Sequence, residues 1–136
     1  MLFRSQGQEF GGRGFPAAVP PEALRLRTKG GPIEGTTPAV IATDAILTKA
    51  QLKRLAVMAH TGMARAIYPV HTPLDGDVVF AAATGRKPLA DPIYGLSELG
   101  AIAANVLARA VARGVYEATA LPFPGALPSW RDRFGA

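Results

Sequence analysis

No cysteine occurs in the chain, which removes disulfides, thiolate catalysis and thiolate metal sites together. The only imidazoles are His60 and His71, too few for a histidine-rich metal site; neither metal nor cofactor is expected. No run of about 18 apolar residues is present, so no membrane span is expected. Met1 to Phe10 lack the long apolar core of a signal peptide, and the expected location is cytoplasmic. Charged residues make up only 18% of the sequence and hydrophobic ones 49%, the balance of a globular chain rather than a disordered one. At 136 residues the chain is long enough to bury a core. The formal charge of +5 invites a nucleic-acid reading. The basic residues are spread out, however, with Arg25, Arg27 and Lys29 near the start, Lys49, Lys53, Arg54 and Arg65 in one helical stretch and Arg109 and Arg113 in another. Aromatics are scarce and no stretch matches an RNA- or DNA-binding motif, so no nucleic-acid partner is expected.

Residues 1–35 hold much of the glycine and proline. Glu9-Phe10-Gly11-Gly12-Arg13-Gly14 reads as a turn-rich loop, Leu24-Arg25-Leu26-Arg27 as a short edge strand, and Lys29-Gly30-Gly31-Pro32 as a flexible connector. Beyond it, an apolar run at about 38–46 predicts a buried strand, starting just after Pro38. Thr48-Lys49-Ala50-Gln51 fits a capping box, and Leu52, Leu55, Ala56, Ala59, Met63 and Ile67 follow at helical spacing until Pro69. Val78 to Thr84 predicts a second buried strand leading to Gly85. A second helix is expected from an N-cap at Ser97, with Leu99, Ile102, Ala103, Val106, Leu107, Ala110, Val111 and Val115 on its apolar face. Its alanines and Gly114 would allow close packing, and 121–136 reads as an irregular tail. The predicted class is α/β with order β-α-β-α. Two strands are too few for a stable sheet, so this chain is expected to complete a larger one.

The chemistry concentrates where the strands begin. Gly35-Thr36-Thr37 stands at the mouth of the first strand. A cut between Gly35 and Thr36 would free the Thr36 amine, whose pKa of about 7.7–8.0 suits a base acting on its own hydroxyl. Gly35 can adopt the strained geometry that a backbone acyl shift needs. The same tripeptide also serves as a plain turn. Asp75 and Asp77 flank Gly76 at the mouth of the second strand. If both strands start at one end of the sheet, these acids approach Thr36 and can orient its hydroxyl or hold an ammonium. Asp-Gly is equally a hairpin turn dipeptide, and a hard cation would find too few further oxygen ligands. His60 is expected as a hydrogen-bonded histidine at the core or rim. His71 and Thr37 are possible pocket residues, with loop-buttressing the alternative for His71. Asp44 is expected as a cap or turn residue.

These residues carry a resemblance. Thr36-Thr37…Val40-Ile41-Ala42-Thr43-Asp44, Leu47 to Gln51, Met58 to Ile67 and Pro69 to Gly85, with Glu9 to Gly12 upstream, resemble the C-terminal part of the DmpA/NylC family. That family comprises self-processing N-terminal-nucleophile peptidases and amidases: L-aminopeptidase/D-esterases, β-peptidyl aminopeptidases and 6-aminohexanoate-oligomer endohydrolases. The resemblance implies Thr36 as the processed nucleophile and Asp75 and Asp77 as the acids beside it. It implies a β-α-β-α piece of a four-layer αββα sandwich of the DmpA/ArgJ type, and a homo-oligomer. It divides the chain into a linker ending an α-type portion, 1–35, and a β portion, 36–136. It further implies a peptide or small amide substrate and a missing α-type portion, or longer precursor, supplying a lysine and an asparagine to the site. Gly35 stands where the family often has asparagine. The alternatives are a truncated non-catalytic fragment that assembles with relatives, and an acyl transferase of the ornithine acetyltransferase type.

Overall fold

The elements follow in the order β1 (Pro38–Ala45), α1 (Lys49–Ala66), β2 (Val78–Lys87), α2 (Tyr94–Glu117) and α3 (Trp130–Phe134). The structure is a computed structural model, and it describes residues 35–135 together with Phe10, Ala18, Pro21 and Arg25. The loop, edge strand and connector expected within residues 1–34 otherwise lie outside the described residues. Mixed helices and a two-stranded parallel sheet make the class α/β.

The parallel pairing sets Pro38 opposite Val78 and Thr43 opposite Ala83, a register in which both strands begin at the same end. A β-α-β connection through α1 gives this direction, where a hairpin would have reversed it. β2 runs three residues past the predicted end, because Gly85 takes a left-handed φ of 67° that lets the strand bulge and rejoin β1 at Lys87.

Along both strands exposure alternates. Ile41 and Val79 are buried against the helices, whereas Val40 and Phe80 on the opposite face are 66% and 58% exposed. The sheet is thus covered on one face only among the described residues, not on both as the apolar runs predict. The core holds Ile41, Leu55, Ala59, Met63, Val79, Ala103 and Leu107. Leu55 and Met63 are fully buried, each worth roughly 1.5–3 kcal/mol of transfer free energy.

Thr48 caps α1 as predicted: its hydroxyl accepts the Gln51 N–H while the Gln51 side chain accepts the Thr48 N–H. α2 departs from expectation at both its start and its buried stripe. It begins at Tyr94 because the Asp91 carboxylate accepts the N–H groups of Ile93 and Tyr94, while the Ser97 hydroxyl only donates back to the Ile93 carbonyl. The buried stripe is Gly100, Ala103, Ala104, Leu107 and Ala108, and Ile102 and Val106 are each about half exposed. The reason is the closeness of the crossing with α1. A Cβ on Gly62 would lie 2.0 Å from the Ala104 carbonyl oxygen, and one on Gly100 would lie 2.1 Å from Met58 Cε. Small residues form such a contact and branched ones are turned outward. Gly114, by contrast, faces open space. By length and composition α2 is apolar enough to cross a membrane, although Glu98, Arg109 and Arg113 interrupt it and its small-residue stripe packs on α1.

The tail is not wholly irregular. Ser129 and Asp132 form a reciprocal capping box that starts α3. Trp130 packs on Tyr116, whose ring also carries the Arg131 guanidinium at 4.7 Å. Arg131 bonds the Tyr116 carbonyl and pairs with Glu117, docking the tail on the end of α2.

Candidate active site

Parallel register decides what meets at the sheet's leading end. The Val78 N–H donates to the Thr37 carbonyl at 3.2 Å, continuing the strand pairing one residue upstream. The Thr37 N–H donates to Asp77 Oδ1 at 2.7 Å. Thr37 is therefore gripped on both its backbone polar groups by residues 77 and 78. Thr36 lies across Gly76 so closely that a Cβ there would stand 2.8 Å from Thr36 Oγ1. Asp75 closes its own loop: its N–H donates to the Thr72 carbonyl at 2.8 Å, and its Oδ2 accepts from the Thr72 N–H and hydroxyl at 3.0 and 2.8 Å.

These groups border a cleft of about 300 Å³ lined by Gly35, Thr36, Thr37, Ile67, Tyr68, Pro69, Thr72, Asp75 and Asp77. Among the described residues the charged side chains that line it are two carboxylates, Asp75 and Asp77. The hairpin alternative for Asp75-Gly76-Asp77 is excluded, since the strand it opens is parallel to its neighbour. A Cβ on Gly35 would meet nothing within 4 Å among the described residues.

His71 does not line the cleft. Held at a φ of 57°, it places Nε2 2.9 Å from His60 Nδ1, one ring nitrogen donating to the other. This ties the 70–77 loop to α1, the buttressing alternative. Burial pulls the His60 pKa below its usual value, the nearby His71 charge adds to this, and the Asp77 carboxylate opposes it. Asp44 is neither cap nor turn. It sits at the far end of β1, where parallel pairing brings up Lys87, 2.9 Å away. The Lys87 ammonium lowers the Asp44 pKa, but the pair is exposed and contributes little to stability. Among the described residues no three His, Asp or Glu side chains converge as a metal site.

Ile67, Tyr68, Pro69 and Thr72 complete the cleft; the sequence marks Ile67 and Pro69 only as the end of the helix. Thr72-Pro73-Leu74-Asp75 carries the available signal, a threonine three residues before an aspartate that can turn back on it.

The chain matches the family model described as peptidase family S58 over residues 6–126. It is similar to the uncharacterized aminopeptidase Mb1368 of Mycobacterium bovis and the uncharacterized aminopeptidase Rv1333 of Mycobacterium tuberculosis. Each is 46% identical over 109 residues, covering 73% of this chain and 31% of the relative. The uncharacterized aminopeptidase ML1167 of Mycobacterium leprae is 45% identical over 109 residues, covering 67% and 30%. The chain thus spans about a third of the length of these relatives. With a family match over most of its length and the motifs in order, the chain belongs to peptidase family S58.

Proposed function

We propose that the chain is the nucleophile-bearing portion of an N-terminal-nucleophile peptidase or amide hydrolase, acting through Thr36. The observation that carries this reading is the convergence of Thr36, Asp75 and Asp77 on one cleft at the shared end of two parallel strands. Cleavage of the Gly35–Thr36 bond frees the Thr36 amine. That amine takes the Oγ1 proton as Oγ1 attacks the substrate carbonyl, the leaving amine carries the proton away, and water then clears the acyl-enzyme. Asp77 fixes the Thr37 backbone one residue from the nucleophile. Both carboxylates favour the protonated terminal amine, so their contribution is positioning as well as charge. Donors for the oxyanion would come from the missing portion, in keeping with relatives of which the match covers only 31%. The aminopeptidase names of those relatives support a peptide or small amide as substrate.

The exposed apolar sheet face, with Val40 and Phe80, supports assembly with a second sheet into a four-layer sandwich and association of copies. It also favours a second reading, a piece that assembles with relatives but has no turnover of its own. N-terminal sequencing after co-expression with an upstream portion tests the first. A new terminus at Thr36, lost in Thr36→Ala, is expected; a terminus at Thr37, or an uncut active enzyme, refutes it. Hydrolysis of an amino-acid p-nitroanilide by residues 1–136 alone, with size-exclusion chromatography alongside, separates the two: the first reading expects no turnover until the upstream portion is added, the second none even then.

A further inference from the structure

One wall of the cleft, from Ile67 to Asp77, is the connection between α1 and β2. A histidine pair ties it to α1 from outside the cleft: His71 Nε2 lies 2.9 Å from His60 Nδ1, with the ring centroids 4.6 Å apart. The φ of 57° at His71 is one that a side chain disfavours, so the residue is held there by its contacts rather than by its own preference. Thr72 follows it directly and donates through its N–H and its hydroxyl to Asp75 Oδ2, and Asp77 accepts the Thr37 N–H. A shift of His71 thus reaches the backbone beside Thr36 by a short path.

A contact between two ring nitrogens needs a proton on one and a lone pair on the other. One imidazolium satisfies it; two cannot, because both nitrogens then carry protons and both rings a positive charge. We propose that His60 and His71 are positioning residues for the reaction: with at least one ring neutral they hold segment 72–77 in place, and protonation of both releases it. The proposal rests on the reading of Thr36 and the two aspartates as the reacting site. Burial disfavours the charged form of His60, the His71 charge adds to this, and the Asp77 carboxylate opposes it. One turn to either side on α1 lie Ala56, Val57, Met63 and Ala64, none of them charged. The strand residues packed with α1 in the core, Ile41, Val79 and Ala81, are apolar, and α2 crosses the opposite side of the helix at Gly62. The tie is therefore intact above about pH 6.5 and is lost as pH falls below it.

The test compares the parent with His60→Asn and His60→Ala, each with the upstream portion supplied. Asparagine sets an amide where Nδ1 stands and keeps a bond to His71 without titrating, whereas alanine removes it. Alanine is also the better helix former, so α1 is retained. Hydrogen exchange of segment 70–77 is read by mass at about pH 7.5 and about pH 5.5, with the proteins compared at equal pH so that intrinsic exchange cancels. Parent and His60→Asn should match at the higher pH, the parent should exchange at least about tenfold faster at the lower one, and His60→Ala should exchange fast at both. Turnover of a p-nitroanilide should follow. The parent's acid limb should carry two ionisations, the terminal amine and the pair, and that of His60→Asn one; His60→Ala should lose at least about tenfold at about pH 7.5, in kcat rather than KM. Equal exchange in parent and His60→Asn at about pH 5.5 overturns the proposal, as does parent-like protection in His60→Ala. So does a His60→Asn that exchanges like His60→Ala at both pH values, or parent turnover in a His60→Ala whose loop exchanges fast. A parent that neither cuts nor turns over, or turnover that survives Thr36→Ala, refutes the nucleophile reading instead, and the exchange comparison then decides this one.

Discussion

Gly76→Ala separates the site from the fold. The added methyl would stand 2.8 Å from Thr36 Oγ1 and 3.1 Å from its Cγ2, so the threonine side chain must retreat by about half an ångström or turn to another rotamer. Nothing in the backbone resists the substitution, since Gly76 is not among the glycines with positive φ. A glycine-to-alanine change at such a position stabilises by about 0.4–1 kcal/mol through the unfolded chain. The side-chain adjustment offsets part of that gain, and the melting temperature should stay within a few degrees of the parent. In the proposed mechanism, however, the hydroxyl is displaced from the position from which it attacks. A misplacement of about 1 Å costs on the order of a hundredfold in rate, so half that distance corresponds to about tenfold. The assay is single-turnover cleavage at Gly35–Thr36 and p-nitroanilide hydrolysis, both with the upstream portion supplied. Parent rates at an unchanged melting temperature would show that Gly76 does not set the position of the nucleophile.

Other outcomes follow from neighbouring contacts. Asp77→Asn retains an oxygen for the Thr37 N–H but removes the charge, and Asp75→Asn does the same for Thr72; each should lower turnover more than about tenfold with the fold intact. Unchanged turnover in both variants, measured on processed enzyme, removes the acids from the mechanism. Gly62→Ala drives a methyl onto the Ala104 backbone and should cost about 3 kcal/mol in denaturant unfolding. Gly100→Ala meets the movable end of Met58 and should cost clearly less; equal costs would refute the crossing described. The folded-state pKa of His60 is depressed below 6.5, so its contribution is fully present above that value and declines as pH falls through the folded pKa. Thermal melts should therefore lose stability below about pH 6.5, and His60→Gln should flatten that limb.

Local signals in the sequence proved readable wherever the partners were close in the chain. Thr48 and Gln51 announce α1, and an apolar run opening with Val78 and Val79 announces β2. Ser129 and Asp132 form the same kind of cap, obscured by the prolines before them. Asp91-Pro92 signalled the start of α2 better than Ser97 did. The buried stripe of α2 was misjudged for a different reason. Hydrophobic periodicity weights Ile102 and Val106, but the neighbour that selects the face is Gly62, 42 residues before Ala104. No local pattern encodes that approach. That Thr36 and the two aspartates meet at one cleft is legible from two strands that start at the same end of the sheet. The cleft walls at Ile67 to Thr72 come from a loop whose path no periodicity reveals.

The double grip on Thr37 bears on what a broken chain would gain in freedom. Its carbonyl is held by Val78 and its amide by Asp77, so a terminus created at Thr36 has one residue of slack. Ordering a single residue costs about 1–2 kcal/mol, against many times that for a loose tail. Most of the entropy a new chain end would claim is thus already removed by the strand pairing behind it. Under the proposed cleavage the reactive end would be tethered before it exists, and severing the bond would not have to await any later ordering of the nucleophile.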